Sequence, residues 1–175
     1  MMSNIERKLQ EARYNLDKMR EQEKRAFGGT ERFDSYLSAF LNATRTVHYR
    51  LCYEHEQTYK TWRKTWNAAH PVEDNRIKFL SDNRRVEVHE SGSTRIVQTE
   101  EIKVGPGSSY TDPSGTLEVW GTPATLSGGN AGATIHKPKY VFNIDGTDRP
   151  VTDVCAEGLE ALNKMVADYK AHPTE

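Results

Sequence analysis

The sequence predicts an α+β fold, mainly a helical bundle of about four helices with a small antiparallel β-hairpin or meander inserted before the C-terminal helix. Three observations carry this expectation. Apolar residues recur at helical spacing through residues 1–92 and again from Val151 to Tyr169. Between these segments, β-forming residues stand in short runs bounded by Gly or Pro. The 175 residues suit a single domain, divided into a helical part over 1–92, a β insertion over 93–146 and a C-terminal helix over 151–171 that docks on the bundle.

The first helix is expected from about Ser3 to Arg25. Ser3 and Glu6 have the spacing of a capping box, and Ile5, Leu9, Ala12, Leu16 and Met19 trace one narrow apolar seam. The other faces are dense in Lys, Arg and Glu, as on a helix laid against a bundle or a partner helix. Phe27-Gly28-Gly29-Thr30 breaks the pattern and offers Thr30 as the next N-cap. From Glu31 the stripe Phe33, Leu37, Phe40, Leu41, Thr44, Val47 and Leu51 marks the main core helix. The period continues weakly through Tyr59, Trp62 and Trp66, as one very long helix or as two separated by a kink near Glu54 to Gln57. His70-Pro71 ends it, because proline disfavours helix at the preceding residue and suits a helix start.

A third helix is expected over Val72 to about Val88, with Ile77 and Leu80 on its apolar face. Strands follow at Thr94–Val104, Leu117–Trp120 and Tyr140–Ile144, separated by flexible stretches Gly105–Gly115 and Ser127–Gly132 that read as hairpin loops. Neither stretch has the Lys-Ser/Thr pair of a phosphate-binding P-loop. The last helix, about Thr152 to Lys170, places Val154, Cys155, Leu159, Leu162, Val166 and Tyr169 on one face.

Leu, Ile, Val and Phe supply 32 of 175 residues, below the roughly 20% that accompanies disorder. A net charge of −1 lacks the other half of that signature, so the chain reads as folded and polar-rich, with mean hydropathy −0.80. A thin core of this kind is often completed by a second copy, so a homodimer is expected. Residues 1–92 carry net +3 and residues 93–175 net −4, well short of the strongly basic footprint of a tight duplex binder. The N-terminus is charged within a few residues and no apolar run approaches ~18 residues, so a cytoplasmic protein with no membrane partner is expected. Cys52 and Cys155 read as free thiols in packing roles.

Asn83-Arg84-Arg85-Val86-Glu87-Val88-His89-Glu90 joins guanidinium groups, which bind phosphate, to an imidazole, which titrates near neutrality. Cations at a helix C-terminus also meet the negative end of its dipole. On a regular helix Arg85 and His89 are i,i+4 neighbours, whereas Arg84 and His89 are about 140° apart. Two other clusters compete for attention. His48, Cys52 and His55, beside Glu56, are potential zinc ligands, but their positions continue the apolar stripe and no metal site is expected. Tyr59, Trp62 and Trp66, interleaved with Lys60, Arg63 and Lys64, have the composition of a single-strand stacking surface, but such a stripe is more often core or dimer interface.

The segments Phe40-Leu41-Asn42-Ala43-Thr44-Arg45-Thr46-Val47 and Ile77–Glu90 resemble the HEPN superfamily (higher eukaryotes and prokaryotes nucleotide-binding domains), over about residues 30–92 with the last helix as a fourth member. Members carry Arg, usually a polar residue such as Asn, and then His after four to six residues. Arg84 and His89 meet this at the short limit, with Arg85 where Asn is usual. The resemblance implies a homodimeric, metal-independent ribonuclease without cofactor, in which Arg84 and His89 act across the dimer groove. Arg85, Asn83, Lys60 and Arg63 would contact substrate RNA, and an antitoxin protein would be a partner. Other members are non-catalytic interaction or nucleotide-binding modules.

Overall fold

The computed structural model describes residues 4–27, 30–54, 56–89, 95–119 and 132–172. Among these residues five helices and five strands occur in the order α1 (Asn4–Glu23), α2 (Glu31–Glu54), α3 (Glu56–Ala69), α4 (Pro71–His89), β1 (Ile96–Val104), β2 (Ser109–Asp112), β3 (Gly115–Glu118), β4 (Ala133–Ile144), β5 (Thr147–Pro150) and α5 (Val151–Ala171). The fold is α+β and mainly helical, with the antiparallel strands ahead of the last helix. Of the two expectations for the long second segment the chain follows the one with two helices, α2 and α3, so five helices stand where about four were expected.

Each helix buries the stripe its periodicity specifies. Ala12, Leu16 and Met19 of α1 meet Phe33, Leu37 and Phe40 of α2, and α5 adds Val151, Cys155 and Leu159 to the same cluster. A second cluster joins Val47 and Leu51 of α2, Tyr59 and Trp66 of α3 and Leu162, Met165 and Tyr169 of α5. α5 therefore contributes to both, as a helix with so wide an apolar face must. α3 closes with the His70 N–H donating to the Trp66 carbonyl, and Pro71 starts α4 at once, its missing N–H being one that a first helical turn leaves unpaired anyway.

α4 and α5 approach closely at Gly158. A Cβ there would lie 2.5 Å from Leu80 Cδ1 and 2.9 Å from Leu80 Cγ. Helix-interior glycine is less favourable than alanine by about 1 kcal/mol, and the space it leaves lets Leu80 seat against α5.

The sheet has the order β1-β4-β5, and β2 and β3 form a separate hairpin. β4 runs from Ala133, well before the expected start at Tyr140, and its inner residues Tyr140 and Phe142 enter the bundle core. Tyr140 stacks on Phe33 with ring centroids 3.7 Å apart, and Phe142 meets Phe79 edge-on at 5.3 Å. Arg95, immediately before β1, forms an ion pair with Asp34 of α2 and lies over the Tyr140 ring. Pro138 stands within β4 opposite Thr99 of β1. β5 pairs only with Val141–Ile144, so the proline has a neighbouring strand on one side alone, where strand prolines are tolerated.

The stretch Gly105–Gly115, expected as a loop, contains β2 and the start of β3. Its turn grips the end of the α1 segment. The Ala26 N–H donates to Asp112 Oδ2 at 2.5 Å and the Phe27 N–H to Ser114 Oγ at 3.0 Å. At α5, Pro150 is the N-cap and supplies no side-chain bond. Glu23 of α1 reaches across, and the Thr152 hydroxyl donates to its carboxylate at 2.7 Å.

Candidate functional site

The arginine-bearing end of α4 takes its orientation from the helix phase. Ile77, Leu80 and Asn83 are buried, while Lys78, Asp82 and Arg85 are exposed on the opposite side. Asn83, expected to contact substrate, is turned into the bundle instead, and its side-chain amide donates to the Phe79 carbonyl at 2.9 Å. Arg84 is half-buried at the margin of that face. α4 remains helical to His89, so the backbone sets His89 one turn beyond Arg85 and about 140° around the axis from Arg84. The side chain of His89 lies outside the described residues.

Arg63 does not join this end. Arg63 of α3 pairs with Asp74 in the first turn of α4, Nη2 to Oδ1 at 2.7 Å, and its guanidinium lies 4.8 Å from the Trp66 ring centroid. Its side chain is 12% exposed, so the guanidinium is committed to joining α3 to α4. Lys60 is exposed on α3. From Asp74 to Arg85 the rise along α4 is about 16 Å, which separates Arg63 from Asn83, Arg84 and Arg85.

The aromatic stripe is core. Tyr59 and Trp66 are 1% and 4% exposed, leaving no face for a base to stack on, and Trp62 packs against Tyr169 with centroids 4.9 Å apart. The Trp66 indole N–H donates to Asp168 at 2.9 Å.

His48 and Cys52, two of the three sequence-level metal candidates, belong to a packed polar network. The Tyr59 hydroxyl lies 3.0 Å from His48 Nδ1 and 3.6 Å from Met165 Sδ, and Cys52 Sγ lies 3.7 Å from His48 Nε2. Burial, reinforced by the nearby Arg63 cation, holds the His48 imidazole below its ordinary pKa near 6.5. Among the described residues no three His, Cys, Asp or Glu side chains converge as a metal site. His55 lies outside them.

One polar cluster has no counterpart in the sequence reading. Arg76 of α4 and Arg149 of β5 both bond the carboxylate of Glu157 on α5. These residues come from distant parts of the chain, and no spacing rule joins them.

Compared with protein-family models, curated proteins and solved structures, the chain matches none. Among the described residues no helix is long and apolar enough to cross a membrane.

Proposed function

We propose that the chain is a HEPN-like, metal-independent endoribonuclease of toxin or defence type, acting in the cytoplasm as a homodimer whose α4 ends face each other. The observation that supports this reading is the unbroken course of α4 to His89, with Arg85 exposed one turn earlier. A guanidinium and an imidazole carried on one line of a helix can address a phosphate and a neighbouring proton together. RNA brings its own nucleophile. His89 would take the proton of a 2′-hydroxyl as that oxygen attacks the adjacent phosphorus. The P–O5′ bond then breaks, leaving a 2′,3′-cyclic phosphate and a 5′-hydroxyl whose proton comes from the partner's His89 or from water. Because α4 stays helical to His89, Arg85 rather than the expected Arg84 would stabilise the charge on the phosphorane, with Arg84 as the supporting contact.

The test is cleavage of a labelled structured RNA in EDTA by protein whose dimeric state is verified by light scattering. His89→Ala is expected to lower the rate by roughly 10²-fold or more, Arg85→Ala to lower it more than Arg84→Ala, and a 2′-deoxy substitution at the cleaved nucleotide to block it. Equal cleavage by His89→Ala, or none by the folded wild-type dimer, would overturn the enzyme reading. A second reading, a non-catalytic interaction module on the same helical frame, is favoured by the burial of Asn83 and the pairing of Arg63 with Asp74. An antitoxin-like protein partner is compatible with either reading.

A further inference from the structure

α4, the β4–β5 hairpin and the first turns of α5 enclose a groove of about 560 Å³, within the ~300–1,000 Å³ range of small-molecule sites. Its walls are apolar along most of their length. Phe79 and Ile144 are half-buried in it, Val154 is buried at its base, and Val72 stands at its mouth, 58% exposed. Phe79 is fixed by its edge-on contact with Phe142, so the concavity is supported from beneath.

The polar end of the groove is the Arg76–Glu157–Arg149 cluster. Arg76 Nη2 lies 3.1 Å from Glu157 Oε2, and Arg149 Nη2 donates to Oε1 at 2.5 Å. Two guanidiniums thus share one carboxylate, which leaves a local positive excess, and each planar fork has more N–H groups than one carboxylate oxygen can accept. The other charged residue lining the groove is Asp145, in the left-handed turn at the hairpin tip. The register pairs Phe142 with Arg149 and Ile144 with Thr147, so Asp145 sits three positions beyond the level of the arginine, at the tip. The groove is therefore polarised, favouring an anion at the Arg76 and Arg149 end and disfavouring one at the tip.

We propose that this groove binds a small amphipathic anion, with a carboxylate or sulfonate head on Arg76 and Arg149 and an alkyl or aryl body along Phe79, Ile144, Val154 and Val72. The site is separate from the arginine and histidine end of α4 and does not rest on the ribonuclease reading.

Fluorescence titration of the full chain with 8-anilinonaphthalene-1-sulfonate, an aryl sulfonate, tests it, with decanoate as competitor and N-phenyl-1-naphthylamine as an uncharged probe of the same shape. The expected result is saturable one-to-one binding displaced by decanoate. It should weaken at least about tenfold in the double variant Arg76→Gln, Arg149→Gln, whose folding is checked by circular dichroism, while the uncharged probe still binds. Val72→Asp changes an exposed side chain and should weaken both probes without disturbing the fold. Wild-type protein without saturable binding, or either variant binding the sulfonate as tightly as wild type, would overturn the proposal. Loss of the uncharged probe together with the sulfonate in the double variant would overturn the role given to the arginines.

Discussion

Gly158 shows how a single missing side chain sets the distance between two helices. Gly158→Ala gains up to ~1 kcal/mol of helix propensity but drives a Cβ into Leu80, and overpacking of a filled core costs about 1–3 kcal/mol. A net loss of stability of about 1 kcal/mol is expected in urea denaturation. The double variant with Leu80→Ala should be less destabilised than the sum of the single changes, because the clash then has no partner. Additive losses would show that Leu80 is not the obstacle. His48 gives a residue-scale prediction with a definite sign. Its folded pKa is lowered, so the unfolded chain binds more protons just below the ordinary value near 6.5. The contribution is fully present above that value and is lost as the pH falls. The melting temperature of wild type should therefore fall further than that of His48→Gln between about pH 7.5 and pH 5.5. Parallel declines would remove His48 as the cause.

Among the elements, the β2–β3 hairpin acts as a clamp on the end of the α1 segment. Burial alone would raise the Asp112 carboxyl, but hydrogen bonds from Ser114 and from the Ala26, Ser114 and Gly115 backbone outweigh it and hold the pKa below the usual range. Asp112→Ala should speed hydrogen exchange at the Ala26 amide by at least about tenfold, the equivalent of ~1.4 kcal/mol, while leaving α5 amides unchanged. An unchanged Ala26 amide would mean that the clamp contributes no local stability. Of this hairpin the sequence showed only the end of β3, within the strand expected at Leu117–Trp120, and not β2. Ser109–Asp112 and Gly115–Glu118 offer Tyr110 and Leu117 as their only large apolar residues, too few for an alternating signal. β5 was hidden for a similar reason, being four residues long and ending in proline, and the Lys137-Pro138-Lys139 run concealed the first half of β4. The helices were legible because every apolar position named in the α1 seam and α2 stripe points inward, and Thr44 is buried with them.

At the scale of the whole molecule, sheet and bundle share one core through Tyr140 and Phe142. Near- and far-ultraviolet circular dichroism should therefore report one coincident thermal transition. Phe142→Ala should shift both probes together, with a loss of about 3–5 kcal/mol, whereas separated transitions would mean that sheet and bundle unfold independently. The candidate site was half legible at this scale. Sequence spacing singled out both arginines and His89 as candidates, but it could not show which arginine faces outward, because the helix phase is set partly by Asn83, a polar residue that belongs to the buried face. The Arg76–Glu157–Arg149 cluster exists only through tertiary packing. α5 carries one more consequence. Tyr59 meets Met165 across 106 residues of chain, and at typical synthesis rates that separation corresponds to a delay on the order of 5–20 s. Throughout it, the apolar seams of α1 and α2 would stand outside the ribosome without the last helix that covers them.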